Sequence, residues 1–301
     1  MINCLTKAEV KNCFSLFICV SARPLRSGLE IKSLNQTCSA KNHRSCVAIK
    51  RFPAAFTLVE LLVVIAIIAL LMSMLMPALA RVRMQAKTVI CQSQLQQWGG
   101  FFAMYTDDNK TSYMQGRGVN DWWRALEPYY RDRALLCCPQ AKDPDKNPWE
   151  GQGTFGTWGP AWFPDNFYGS YGMNEWACNP IPDSSGGRHF PENYWRTSQI
   201  QQGFIKPLLL DAWWDQAWPE PHDWVPDYSG QWEGVTYNDM AHFCINRHGE
   251  GYINGLFMDY SISKVGLKQL WKFKWHKNFD TDAGPGKDEW PEWMKGFKEY
   301  K

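Results

Sequence analysis

The chain has 301 residues, a net charge of +2, 21% charged and 15% aromatic side chains. An aromatic share of that size excludes a chain that stays disordered. The charge is also unevenly placed: residues 1–55 carry nine Lys and Arg against two acids, and the remainder carries 23 against 28. An acidic remainder has no electrostatic footprint for nucleic acid, which is excluded as a partner.

Residues 1–55 mix Cys, Ser, Asn, Lys and Arg, with little apolar periodicity beyond Phe14 to Val20, a run too short to cross a bilayer. They are read as a basic leader, much of it dispensable. No Met occurs between Met1 and Met72, and much of the leader is read as an over-long gene start.

From Phe56 to Ala80 the chain is apolar, interrupted by Glu60, and after Glu60 it has no charge up to Met76. That length suffices for a membrane-spanning helix at about 1.5 Å per residue. A carboxylate at mid-bilayer costs about 2.5 to 3.5 kcal/mol on insertion scales, so Glu60 calls for a partner and a function. A cut between Ala55 and Phe56 supplies one, because the new amino group then lies four residues before Glu60. The basic front, with Lys50 and Arg51 nearest, favours a cytoplasmic leader and an exported remainder, a single-pass protein of the inner membrane. The rival is a Sec signal peptide cut near Ala80.

The run Phe56-Thr57-Leu58-Val59-Glu60 before an unbroken apolar segment resembles the class III signal of type IV pilins and type II secretion pseudopilins. The resemblance implies that a prepilin peptidase cuts between Ala55 and Phe56 and methylates the Phe56 nitrogen. It further implies that Glu60 pairs with the Phe56 amino group of a neighbouring pilin-like subunit during assembly. Ala55 stands where the family usually has Gly, and the leader is longer than family leaders.

Residues 81–110 continue the spine as an amphipathic helix, with apolar positions Val82, Ala86, Val89, Ile90, Leu95, Trp98, Phe101, Phe102 and Tyr105. Pro77 removes a backbone donor and predicts a kink near the outer membrane face. Gly99-Gly100 costs helix stability unless close packing repays it. The segment Thr106 to Lys110 ends the helix by turn chemistry.

Residues 111–301 form the exported head. Short apolar runs broken by Gly, Pro, Asn, Asp and Trp predict an α+β fold, the long helix on a small antiparallel sheet with Trp-rich loops. A short helix is expected in Asp121 to Tyr130, and strands at Ile205 to Ala212, Met240 to Asn246, Tyr252 to Met258 and Ser261 to Val265. Cys91 with Tyr105 to Asn109, Cys138-Pro139, Ser170 to Asn174, and Arg247-His248 before Asp259 resemble prepilin-like proteins abundant in planctomycetes and their relatives.

No Gly-x-Ser-x-Gly elbow, phosphate loop or His-Glu-x-x-His is present, so no enzyme and no cofactor is indicated. His248 and Asp259 are read as a structural pair tying a hairpin turn. Five cysteines lie beyond the leader, Cys91, Cys137, Cys138, Cys178 and Cys244, an odd number that permits at most two internal bridges. Adjacent Cys137 and Cys138 lack a Cys-x-x-Cys or His partner at zinc spacing, and no metal is assigned. Acids among the tryptophans (Asp211, Asp215, Asp223, Asp227) raise calcium, but no spaced calcium loop supports it. All 17 tryptophans lie from Trp98 onward. Trp213, Trp214, Trp218 and Trp224 are read either as core or as an aromatic surface for polysaccharide. The function expected is a structural pilin-like subunit, and the alternative is a membrane-anchored glycan-binding protein.

Overall fold

The computed structural model describes residues 57–115, 121–142, 153–159, 167–180, 190–231, 238–286 and 289–298. The chain divides into two compact units, Met1–Thr57 and Leu58–Lys301, and all described residues but Thr57 lie in the second. The bond between Ala55 and Phe56 lies outside the described residues.

Helix α1 covers Leu58–Asp108, 51 residues with Pro77 inside, a rod of about 75 Å at 1.5 Å per residue. Its end follows from Asn109, whose backbone and side-chain N–H groups both bond to Tyr105 O at 3.0 and 2.8 Å. Lys110 and Thr111 then turn left-handed with φ of 54° and 66°. Every residue from Leu58 to Lys87 is exposed. Packing begins at Thr88 and follows Cys91, Leu95, Trp98, Gly99, Phe102 and Thr106, the three-four spacing of one helix face. That stripe differs from the expected one: Val82, Val89 and Ile90 point outward, and two threonines and a cysteine take buried places.

The head is a five-stranded sheet in the order β3-β1-β2-β4-β5. Its strands are β1 Tyr171–Asn174, β2 Pro207–Asp211, β3 Gln216–Ala217, β4 Tyr252–Phe257 and β5 Ile262–Gly266. All neighbours are antiparallel except β1 with β3. Alternation along the strands divides two aromatic cores. Leu209 and Leu256 face α1 with Trp98, Phe102, Trp122 and Trp158. Leu210, Ile253 and Phe257 face the other way, onto Phe243, Trp271 and Trp275. The sheet is covered on both sides, which is why β1, β2 and β4 are buried along their whole length.

Two expectations need correction. Met240 to Asn246 is not a strand, because Asp239–His242 coil into a 3-10 helix held by Asp223 Oδ2 accepting from Met240 N at 2.9 Å. The helix in Asp121 to Tyr130 is shorter than expected, α2 being Trp122–Ala125. A third short helix, α3, covers Glu292–Lys295.

The glycine pair resolves into two roles. A Cβ at Gly99 would come 3.1 Å from Leu256 Cδ1, so this glycine lets α1 settle on β4. A Cβ at Gly100 would meet nothing within 4 Å. Gly100→Ala is expected to raise the stability of the processed chain by about 0.8 to 1 kcal/mol, the helix-propensity difference. Gly99→Ala should gain less or lose, and denaturant midpoints of the two variants measure the contrast.

Candidate functional site

Helix α1 presents two sites of different character. The first is the exposed stretch Leu58 to Lys87, in which Leu58, Leu61, Leu62, Ile65, Leu70, Leu71, Met74 and Leu75 are all more than half exposed. This part of α1 is long and apolar enough to cross a membrane, and none of its apolar window is buried against the rest of the chain. Glu60 sits in its first turn and Pro77 inside it. An apolar surface of this extent needs lipid or other helices around it.

The second site is where α1 meets the sheet. Asp211 ends β2 and shares the α1-facing side of the sheet with Leu209, while Asn254 sits opposite on β4 and donates its N–H to Asp211 Oδ2 at 2.9 Å. His248 enters from the turn before β4. That turn bends through three left-handed residues, Gly249, Glu250 and Gly251, with φ of 76°, 54° and 78°. At Gly251 a Cβ would lie 2.2 Å from Phe297 Cγ, so the turn requires glycine there. Cys138 follows the 3-10 helix Arg133–Leu136 and is fixed by Ser170 Oγ, which accepts its N–H at 2.7 Å. Cys91 arrives on the buried stripe of α1.

The Cys91, Cys138, Asp211 and His248 side chains converge, each at most 2% exposed. Cys91 Sγ is 3.6 Å from both carboxylate oxygens of Asp211, Cys138 Sγ is 3.6 Å from His248 Nε2, and His248 Nε2 is 2.9 Å from Asp211 Oδ2. Asn254 Nδ2 also lies 3.0 Å from His248 Nε2. Behind them Arg247, fully buried, donates to Thr154 O, Gly156 O, Ser170 O and Ala212 O at 2.6 to 3.1 Å and stands 3.6 Å from Asp211 Oδ1.

Charge and burial compete at each group. Burial disfavours a charged His248, yet the charge and hydrogen bond of Asp211, helped by Cys138, raise its pKa to about 9. Burial pushes the Cys138 thiol up, but hydrogen bonds from Cys91 and His248 and the charge of Arg247 bring it down to about 7. Burial, then Cys138 and Asp211, push the Cys91 thiol well above its ordinary value. Burial also opposes ionisation of Asp211, but His248, Arg247 and the Asn254 N–H outweigh it and hold the carboxyl below its usual value.

Several expected site residues are placed differently. The carboxylate that His248 meets is Asp211, not Asp259, which faces outward and accepts from Ser261 N and Oγ at 3.0 and 2.6 Å. The reason is the hairpin geometry: His248 precedes β4 and Asp259 follows it, at opposite ends of the strand. Trp213 and Trp218 are 4% and 8% exposed, with Trp213 Nε1 donating to Ala241 O, so these two are core and not a recognition surface. Trp214 is partly buried, and Trp224 is 48% exposed. All five cysteines beyond the leader carry free thiols. Sequence reasoning named Cys91 and Cys138 separately and missed Asp211 as their partner, since these residues join only through sheet register and helix docking.

Comparison with known proteins finds one family, described as the prokaryotic N-terminal methylation motif, matching residues 51–76. No curated protein and no solved structure matches the chain. Proteins with this motif are usually structural subunits, and the motif implies processing by a prepilin peptidase. The chain is therefore type IV pilin-like or pseudopilin-like at its N-terminus, with a prepilin-type cleavage and methylation motif leading into one long apolar helix.

Proposed function

We propose that this protein is a pseudopilin-like structural subunit, cut between Ala55 and Phe56, methylated on Phe56, and packed helix against helix into a type II secretion or type IV pilus-like filament. One observation carries the reading: the methylation motif runs directly into a membrane-length apolar helix whose apolar window is not buried at all against the rest of the chain. Before assembly the bilayer covers that surface, with the leader cytoplasmic and the head periplasmic or extracellular. In the filament, neighbouring helices cover it, and outward-facing Val82, Val89 and Ile90 extend the contact beyond the membrane segment.

In such a bundle Glu60 neutralises the amino group of a neighbour's Phe56, which removes two charges from an apolar interior. The test has two parts. Intact mass and N-terminal sequence of membrane-extracted protein should show N-methyl-Phe56 when prepilin peptidase is active and an uncut chain when it is not. Glu60→Ala should be cut and methylated normally, while filament recovered by shearing and pelleting falls at least tenfold. Wild-type recovery from Glu60→Ala would sink the pairing, and a chain starting near Ala80 would sink the reading as a whole.

A further inference from the structure

Buried at the junction of α1 and the sheet, the Cys91, Cys138, Asp211 and His248 side chains bring one donor atom each to within 4.8 Å of one another. We propose that this cluster is a structural zinc site which clamps α1 to the head.

Three of the six ligand–ligand separations can be set against a zinc tetrahedron. With zinc–sulfur bonds near 2.3 Å and zinc–nitrogen or zinc–oxygen bonds near 2.0 to 2.2 Å, ligand atoms around one ion sit about 3.2 to 3.8 Å apart. The separations are 3.6 Å from Cys91 Sγ to either Asp211 oxygen and 3.6 Å from Cys138 Sγ to His248 Nε2. The 2.9 Å from His248 Nε2 to Asp211 Oδ2 needs to open by a few tenths of an ångström. Two sulfurs, one imidazole and one carboxylate form a set suited to zinc, whereas calcium and magnesium take oxygen ligands.

The surroundings are built for it. Thr88 Oγ1 donates to Met84 O at 3.0 Å and so uses its hydroxyl hydrogen there. At its 3.0 Å contact with His248 Nδ1 it must therefore accept, which places a ring hydrogen on Nδ1 and leaves Nε2 as the ligand atom once the ion displaces its proton. Asp211 is oriented by the Asn254 N–H and by Arg247, and the Tyr171 hydroxyl lies 3.3 Å from Cys91 Sγ. The charges also close. Two thiolates and a carboxylate balance a divalent ion and the buried Arg247 guanidinium, leaving no net charge in the core. A surface pocket lined in part by Cys138, with Cys137, Thr157 and Tyr168, is the nearest opening to the cluster's Cys138 side.

The four ligands lie on α1, the loop after Arg133–Leu136, the end of β2 and the turn before β4, so a bound ion ties together segments far apart in the chain. Cys137 is adjacent in sequence but outside the cluster, its Sγ 3.8 Å from Tyr168 O. It serves as the control.

The test uses the full processed chain purified from membranes in detergent without chelator. Elemental analysis should find about one zinc per chain, and replacement by cobalt should give the visible bands of a tetrahedral thiolate complex. Cys137→Ser should keep both signals. Cys91→Ser combined with Cys138→Ser should lose at least nine-tenths of the metal and abolish the cobalt spectrum, and chelator should lower the melting temperature of wild type but not of that variant. Should the double variant fail to fold, the wild-type metal content and cobalt spectrum decide alone. A Cys91–Cys138 disulfide in the purified protein, or reduced and folded wild type that takes up neither zinc nor cobalt, would overturn the proposal.

Discussion

Arg247→Met is expected to cost the head about 3 to 5 kcal/mol, the loss that follows when one partner of a buried ion pair is removed. The side chain is fully buried and donates to four backbone carbonyls, Thr154 O, Gly156 O, Ser170 O and Ala212 O. Methionine fills similar volume but takes the guanidinium donor from all four, only Ser170 O keeping the Ala212 N–H at 2.9 Å, and it withdraws the positive charge 3.6 Å from Asp211 Oδ1. Arg247→Lys keeps the charge but cannot reproduce the planar fork, so it should recover only part of the loss. Denaturant midpoints of the processed chain measure both variants. A change under about 1 kcal/mol for Arg247→Met would mean that the four carbonyls find other donors cheaply.

Trp98→Ala is expected to cost about 3 to 5 kcal/mol, the range for truncating a large buried aromatic. Its indole lies edge-on to Phe101, Trp122 and Tyr130 with ring centroids 5.4, 5.1 and 4.9 Å away, and Nε1 donates to Leu135 O at 2.9 Å. Trp98→Phe keeps most of the apolar contact and loses that hydrogen bond, so it should cost about 1 to 3 kcal/mol. The two effects also differ in place. With Trp98→Ala the segment after Thr88 should become open to limited proteolysis at temperatures where the sheet still resists, because Trp98 is the largest side chain α1 buries.

The long helix was legible because apolar length, three-four spacing and the turn residues after Thr106 all agree, and Leu58–Asp108 bears that reading out. The α+β architecture was legible too, with β2, β4 and β5 close to their expected places. What escaped was short or evenly buried. Strand β1 has four residues, all buried, and β3 has two, so neither shows the alternation that marks a half-covered strand. Met240 to Asn246 is an apolar run of ambiguous period, and a distant carboxylate, Asp223, decided its conformation. The same physics hid the buried cluster. Cys91 and Asp211 lie 120 residues apart, as do Cys138 and His248 by 110, and no local pattern encodes such meetings. For His248 the sequence points to Asp259 across a hairpin, but the partner is Asp211, which strand pairing brings from 37 residues away.

The joint between α1 and the head has a mechanical direction. Thr88, Gln92, Trp98 and Thr106 each bond across it, to His248, Asn254, Leu135 and Tyr260, and they are spread over about 27 Å of rod at 1.5 Å per residue. A force along the rod loads these bonds side by side, so they resist as a group. A force across the rod, applied through the exposed arm, loads the bonds nearest that arm first, Gln140 Nε2 to Met84 O and Thr88 to His248, and the others in turn. The joint is therefore stronger in tension than in bending.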